Sequence, residues 1–370
     1  MRNVRFAVAS DLHIGLPHTI SSTSTRFHLV EASIPLLEVT LDHLQQQELD
    51  FLLLPGDLTQ HGEPDNHAWL HTRLSQLPFP VYVVPGNHDV PTLLPGEQSI
   101  GVKDFPHYYQ QFGYTNPQQL YYTCEVLPGL QLIALNSNQF DSDCKQLGYG
   151  YLDEEQLVWL EQVLAQTQDK LVLVMLHHNV IEHLPGQATH PLGQRYMLAN
   201  ARVLLDILSS AGANLIFTGH LHTQDIAYQE GIYDITTGSL VSYPHPYRIL
   251  QLRTDEQGQR TLQIESHRVE SVPGWENLPQ MSREWIGDHS YPFMMKLLTS
   301  PPLNLPQAEA DKLAPSLRYF WAQIAAGDAW FDYPDFPAPV RRHFQSFSAL
   351  TSDGKPAFID NHVSLLLVGE

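Results

Sequence analysis

The sequence predicts an α/β sandwich, two mixed sheets lying face to face with helices on their outer sides. Short apolar runs alternate with longer amphipathic stretches along most of the chain, and after Gly231 consecutive strand-like runs take over. Several of the apolar runs end in glycine-bearing turns that carry carboxylate, amide or imidazole side chains. The loops past the carboxyl ends of strands are where open α/β sheets bind ligands.

Taken in order, residues 4–9, 51–54, 81–84, 130–135, 171–176 and 215–218 read as strands, each a short apolar run bounded by turn residues. Helices fill the gaps. Residues 27–47 carry Leu29, Ile34, Leu37, Leu41 and Leu44 at helical spacing, and 153–166 and 197–209 behave likewise. Residues 232–236, 248–252 and 261–264 then read as consecutive antiparallel strands. Beyond residue 273, aromatics such as Trp285, Trp321 and Trp330 are scattered among prolines such as Pro301, Pro302 and Pro334. Leu317, Phe320, Trp321 and Ile324 make one helical stripe there, with Pro315 acceptable in its first turn. These shifts divide the chain into a sandwich domain, residues 1–272, and a helical and irregular extension, 273–370, that packs on it. A cap over the site or a dimer element are the other roles open to the extension.

Hydrophobic residues make up 43% and charged residues 16% of the 370, as in a globular protein able to bury a full core. The 40 acidic residues outnumber 20 basic ones, for a formal net charge of -20, and no Lys/Arg block occurs. Such a field repels polyanions, so long nucleic acid and anionic membrane surfaces are not expected as partners. A small anion remains acceptable, because bound cations reverse the field locally. The longest apolar runs fall far short of the ~20 residues that span a bilayer. Cys124 and Cys144 form no C-x-x-C pair and read as reduced thiols. The first strand begins almost at once, so no cleavable signal is expected, and the expected location is cytoplasmic.

Five short motifs carry the chemistry: Asp11-Leu12-His13, Gly56-Asp57, Gly86-Asn87-His88-Asp89, His177-His178 and Gly219-His220-Leu221-His222. Alone, an aspartate after a strand is often a helix N-cap and a histidine at a strand end an ordinary surface residue. Those bland readings would have to hold several times over, at ordered positions, to account for the whole set. Carboxylate, amide and imidazole are ligands that first-row divalent metals prefer. Two such cations ~3.5–4 Å apart answer the two demands of phosphate ester hydrolysis, activating a water and clamping the attacking and leaving oxygens. The glycines at 56, 86 and 219 are read as permitting the sharp turns that present these side chains.

In this order the motifs resemble the calcineurin-like metallophosphoesterases, whose pattern D-x-H, G-D, G-N-H-[D/E], H and G-H-x-H is present without a substitution. The spacing fits as well, with roughly 45 and roughly 30 residues between the first three blocks, one strand-helix unit in each gap. The resemblance implies a four-layer α/β/β/α metallophosphoesterase sandwich and two divalent metal ions, with Mn, Fe and Zn equally suited to the mixed ligand set. It implies Asp11, His13 and His222 at the first ion, Asp57 bridging both, and Asn87, His177 and His220 at the second. Motif counting favours His177 over His178, and the swap stays open because Asn179 stands where the family commonly has proline. His88 would contact the phosphate and protonate the leaving alkoxide, oriented by Asp89. His18, His61, His183 and His190 lie on segments able to line the cleft mouth, and exposed loop positions are expected for each.

Further stretches narrow the resemblance to class III cyclic nucleotide phosphodiesterases and their glycerophosphodiesterase relatives: Gly56-Asp57-Leu58-Thr59 with Gly62, Met197-Leu198-Ala199-Asn200, and Thr237-Gly238-Ser239-Leu240 leading to Tyr243-Pro244. No motif loop has a basic residue beside it. The extra charge of a monoester calls for Arg or Lys, so a diester is favoured. The expected reaction is attack by a metal-bridging hydroxide on a 3',5'-cyclic nucleotide or a similar small phosphodiester. A monoesterase, nucleotide pyrophosphatase or nuclease is the second reading, since one fold hosts many substrates. A non-catalytic scaffold would be marked by lost ligands, and all are present. The small-molecule diester is the expected partner, and a homo-oligomer is left open.

Overall fold

A computed structural model describes residues 3–21, 26–167, 169–351 and 353–367. Its strands are β1 (Val4–Val8), β2 (Phe51–Leu54), β3 (Val81–Val83), β4 (Tyr122–Leu127), β5 (Leu130–Ala134), β6 (Leu171–Met175), β7 (Leu215–Thr218), β8 (Asp225–Gln229), β9 (Ile232–Thr236), β10 (Pro246–Thr254), β11 (Arg260–Arg268) and β12 (His362–Leu367). They make two six-stranded mixed sheets, one in the order β12-β11-β10-β1-β2-β3 and the other β4-β5-β6-β7-β9-β8. In the first, β1 runs parallel to β2 and antiparallel to β10, so Phe6 lies between Phe51 and Leu250. In the second, β5, β6, β7 and β9 are all parallel neighbours.

Strand alternation sorts the side chains into layers. In β6, Leu173 and Met175 join the core between the sheets. Val172 and Val174 face the other way, against Leu160, Leu164, Leu204 and Leu208 from the helices Glu154–Ala165 and Ala201–Ser210. Phe6 ties the two sheets together: it stacks on Phe51 at 4.8 Å and meets Phe217 of β7 edge-on at 5.7 Å. Each fully buried side chain of this size contributes about 1.5–3 kcal/mol. The helix Glu154–Ala165 starts where Asp153 accepts the backbone N–H of Gln156, an ordinary N-cap.

The helix expected over 27–47 begins only at Ser33, after a short 3-10 turn. The series expected as consecutive antiparallel strands divides: β9 pairs with β7 and β8 in the second sheet, and the chain then crosses to the first, where β10 and β11 pair antiparallel. Three strands were not anticipated. β4, β8 and β12 are edge strands with exposed positions; polar residues break up the apolar pattern in β4 and β8, whereas β12 holds its apolar run, Leu365–Leu367, inside the segment expected to be helical and irregular. The stripe from Leu317 to Ile324 is split between a 3-10 turn, Ala314–Leu317, which holds Pro315, and the helix Phe320–Ala326.

The aromatic residues after 290 build a third apolar cluster around Met294, Leu317, Phe320, Phe331 and Phe344. This segment then returns to the sandwich through β12, which pairs antiparallel with β11. Among the described residues no helix is long and apolar enough to cross a membrane. Cys124 and Cys144 are free thiols.

One guanidinium links all three parts. Arg248 of β10 is fully buried and donates to the carbonyls of Asp360 in the returning segment and of Asp225 and Thr236 in the second sheet, and to the Ser266 hydroxyl of β11. Buried acceptors that lose their donor cost about 1–3 kcal/mol each. Arg248→Met is therefore expected to lower the unfolding free energy by roughly 2–4 kcal/mol, read as a fall in the urea midpoint. An unchanged midpoint would show that these carbonyls find other partners.

Candidate metal centre

Backbone conformation at the strand ends aims the site. Asp11, His13, Asp57, His220 and His222 all have positive φ, between 43° and 67°, in the sparsely populated left-handed region. Backbone hydrogen bonds hold them there: Asp11 N–H donates to Gly56 at 3.1 Å, and His13 N–H to Asp57 at 2.9 Å. Of the three motif glycines only Gly56 has a positive φ, 93°. The other two are needed for close approach: a Cβ on Gly86 would lie 2.2 Å from Asp57 Oδ1, and one on Gly219 would lie 2.1 Å from Ser10 Oγ.

Two clusters of ligand atoms meet at one carboxylate. Asp11, His13, Asp57 and His222 form the first, and Asp57, His177 and His220 the second. Asp57 Oδ2 lies 3.7 Å from His13 Nε2 and 3.3 Å from His177 Nε2, while Oδ1 accepts the His88 N–H at 2.8 Å. Asn87 Oδ1 completes the second group, 3.1 Å from His177 Nε2. In the first, Asp11 Oδ1 is 3.1 Å from His222 Nε2.

The tautomers suit a cation. His177 Nδ1–H donates to the Pro55 carbonyl at 2.8 Å, and His220 Nε2–H to that of Arg195 at 3.1 Å. In the neutral imidazoles the other nitrogens, His177 Nε2 and His220 Nδ1, would then face each other as lone pairs 3.1 Å apart. His13 Nε2 and His222 Nε2 also stand close, 3.3 Å apart. Opposed lone pairs in a buried site are relieved by a positive charge between them, and an imidazole whose outer N–H is fixed by a carbonyl is oriented as metal-ligating histidines are. Burial alone would raise the Asp57 pKa, but the neighbouring His177 and His88 outweigh it and hold the carboxyl well below its usual range. Burial opposes charge on His177 too, yet Asp57 raises its pKa to about 9. His220 is pushed well down by burial and by His178 and His177.

Residues 4–224 match the family described as calcineurin-like phosphoesterase. The chain belongs to the calcineurin-like phosphoesterases. As a member it is a phosphoric ester hydrolase that works with divalent metal ions. It is 29% identical over 211 residues to a probable glycerophosphodiester phosphodiesterase of Arcobacter nitrofigilis, covering 56% of this chain and 67% of that one. It is 27% identical over 210 residues to a 3',5'-cyclic-nucleotide phosphodiesterase of Nostoc sp. (56% and 69% covered). With a 3',5'-cyclic adenosine monophosphate phosphodiesterase of Haemophilus influenzae it shares 24% over 283 residues (74% and 93% covered). The fold is that of a dimetal phosphatase from Danio rerio, with a TM-score of 0.53 at 16% identity over 72% of this chain and 96% of that one.

Against that family pattern, seven of the predicted residues converge and His88 stands beside them, its ring edge-on to His13 at 4.7 Å. His178 turns away to Ser137 Oγ at 2.8 Å, which leaves His177 in the cluster. The expected pairing of Asp89 with His88 is not formed. Asp89 is buried behind the loop and accepts the N–H groups of Leu58, Thr59 and Gly86, and His88 Nδ1–H donates instead to the Gln60 carbonyl at 2.6 Å. Three backbone donors pull the Asp89 side chain out of reach of its sequence neighbour. Burial and the charge of Asp57 push its pKa up to about 7.

Of the other histidines, His18 is exposed beside Asp65, and His61 is exposed and stacks on His88 at 5.5 Å. His183 is buried between Asp225 and Asp234, contrary to the expectation of an exposed loop residue. His190 is half-buried. The sequence reading missed His28, which stacks on His13 at 4.4 Å and lies within ligand distance of His13 and His222. It also missed Arg26 and Arg195, which line the cleft of about 390 Å³ over the cluster. These three lie on irregular segments outside every motif, so no local pattern marks them.

The loop that holds Asp89 is braced by His67, whose Nδ1 is 2.9 Å from the Tyr109 hydroxyl and whose Nε2 lies 3.3 Å from both Thr59 Oγ1 and the Asp89 carbonyl. Burial lowers its pKa to about 3. A histidine depressed in the folded state contributes stability that is complete above its unfolded pKa of ~6.5 and is lost as pH falls from there towards the folded value. In chelated protein, the urea midpoint is expected to fall further between pH 7 and pH 5 for the wild type than for His67→Gln. Equal falls would remove His67 from the acid response.

Proposed function

We propose that the chain is a phosphodiesterase acting on a small diester, with a 3',5'-cyclic nucleotide as its principal substrate class. The observation that carries the dinuclear reading is the position of Asp57 Oδ2 between His13 and His177. Asp11, His13 and His222 would hold the first ion, Asn87, His177 and His220 the second, and Asp57 would be shared by both, with manganese, iron or zinc as the candidates. When bound, the two ions supply an activated water at neutral pH and positive charge for the attacking and leaving oxygens.

The chain's own residues do the rest. The Gln60 carbonyl keeps a proton on His88 Nδ1, which fixes the ring so that its protonated form donates from Nε2 into the cleft it lines. That proton goes to the departing alkoxide, the step a general acid performs. Asp89 acts indirectly, by tying together the two loops that carry Asp57 and Asn87. Ile286 and Trp321 close one wall of the cleft, and the segment after 272 thereby serves as its cap. The similarity to relatives named for cyclic-nucleotide and glycerophosphodiester hydrolysis supports the diester.

Arg26 and Arg195 favour a second reading. The sequence argument against a monoester rested on the lack of basic residues beside the motifs, and the fold brings these two into the cleft wall from elsewhere. Guanidinium groups suit the extra charge of a monoester.

Rates on 3',5'-cyclic AMP, an aryl phosphodiester and a phosphomonoester, with manganese-loaded and chelated protein, separate the two. The cyclic nucleotide is expected to give the highest kcat/KM, with chelation abolishing turnover; a dominant monoester rate sinks the diesterase reading. Metal analysis gives an independent check. Asp57→Ala is expected to retain neither ion and Asn87→Ala about one. Two ions still bound in the Asp57 variant would overturn the bridge.

A further inference from the structure

We propose that His28, which lies outside every motif, is a fifth protein ligand of the first cation. The inference rests on the dinuclear reading above and deepens it, by setting the two ions apart in how they are held.

A ring nitrogen of His28 lies within 4.8 Å of ring nitrogens of both His13 and His222. Metal–imidazole bonds are ~2.0–2.1 Å long, so ligands on opposite sides of one ion stand about 4 Å apart, and little movement closes this group. Asp11 and Asp57 make a separate group with the same two histidines, so His28 and the carboxylates come at that pair from different directions. Ligands spread around one ion do the same. The His28 ring is seated by its neighbours, stacked on His13 at 4.4 Å and edge-on to His222 at 5.7 Å.

Its tautomer is fixed from outside the cluster. Gln60 Oε1 stands 3.2 Å from His28 Nε2, and the Gln60 amide nitrogen 3.3 Å from His61 Nε2. With the amide so oriented, its oxygen accepts the His28 Nε2–H, and the neutral ring keeps its lone pair on the other nitrogen. Carbonyl oxygens of Pro55 and Arg195 orient His177 and His220 in this manner, the usual arrangement for metal-ligating imidazoles. Gln60 is itself buried, and its N–H donates to the Ile14 carbonyl at 3.1 Å.

The segment that carries His28 is pinned on both sides. Leu29 N–H donates to the Val241 carbonyl at 2.8 Å, next to Ser242, whose hydroxyl is 3.4 Å from His222 Nδ1. The Arg26 carbonyl accepts the indole N–H of Trp285 at 2.8 Å. An irregular stretch is thus held against the first site from the sandwich on one side and the C-terminal segment on the other.

Asymmetry between the ions follows. The first would have His28 beside Asp11, His13, Asp57 and His222, and the second only Asp57, Asn87, His177 and His220. The position with fewer protein ligands keeps room for substrate oxygens. Imidazole suits iron and zinc where carboxylate suits manganese, so a third imidazole turns the first position towards iron or zinc.

The test is a cobalt(II) titration of the chelator-stripped full chain, read by equilibrium dialysis and visible absorption, for the wild type, Asn87→Ala, His28→Phe and His28→Gln. Two binding steps are expected in the wild type, and Asn87→Ala identifies the second-site step by weakening it. His28→Phe, which keeps a flat ring and removes both ring nitrogens, is expected to weaken the other step at least about tenfold, since losing even an outer partner of a ligand costs roughly 10–100-fold in affinity. The visible band of that step is expected to intensify as the coordination number drops. His28→Gln, which keeps a donor for Gln60 and offers an amide oxygen, is expected to lose less. Thermal midpoints of the stripped variants matching the wild type show that they are folded; if His28→Phe fails this check, His28→Gln decides by the same two readouts. Unchanged affinity in the His28 variants overturns the proposal, as does weaker binding with an unaltered spectrum, the mark of a packing residue. A single binding step in the wild type removes the dinuclear reading instead, and His28 remains a ligand if His28→Phe still weakens that step and alters its spectrum.

Discussion

Asp57 is a carboxylate with 1% exposure, set between two groups of imidazoles, and the loops around it exist to keep it there. Its own backbone and those of Asp11, His13, His220 and His222 are left-handed. Non-glycine residues in such regions cost of order 1–3 kcal/mol each and persist only where their surroundings over-determine them. Here the surroundings are parallel strands ending side by side. Asp11 N–H reaches Gly56, Ile14 N–H reaches Leu58, Leu240 N–H reaches Ser10 and Gly219 N–H reaches His177. Each loop is thus pinned by the next, and the sandwich core supplies the stability that this local strain consumes. The close approach at Gly86 and Gly219 follows from the same crowding.

Charge shapes the site on a larger scale. The chain has a formal net charge of -20, a field that repels its own anionic substrate. Cations held at the cluster would invert that field locally, and Arg26 and Arg195 add fixed positive charge at the cleft wall. Arg26 is itself ion-paired to Glu31, and Arg195 lies over the Tyr196 ring at 4.5 Å. Both are held in place, which favours orientation of the substrate over non-specific attraction of anions.

What was legible in the sequence follows from where information is local. Asp11, Asp57, Asn87, His177 and His220 each lie at or directly past a strand's carboxyl end, so an apolar run followed by a motif locates them without tertiary knowledge. The same logic misjudged Asp89. Adjacency to His88 suggested contact, but in a tight turn successive side chains diverge, and the N–H groups of Leu58 and Thr59 offered the carboxylate better partners. His28 and the two arginines were invisible because nothing local distinguishes them; only the approach of separate segments gives them a role. The edge strands were missed for a different reason. β12 reads His-Val-Ser-Leu-Leu-Leu with alternate positions exposed, and its partner β11 lies almost a hundred residues earlier in the chain.

The division of labour along the chain bears on how substrate choice is encoded. The match to the family spans 4–224 and contains every residue of the two ligand clusters, whereas Ile286 and Trp321, which wall the cleft, come from after it. That later segment has its own apolar cluster, yet it is fastened to the sandwich by β12 and through the carbonyl of Asp360 to the buried Arg248. A wall fixed so firmly presents a defined surface to whatever the phosphate carries. The metal loops, being over-determined by one another, tolerate little change without losing the chemistry; the wall is constrained only by packing, and volume-conserving apolar exchanges in packed regions are tolerated best. On the proposed assignment, substrate preference is open to retuning in the C-terminal segment while the proposed centre at Asp57 stays the same.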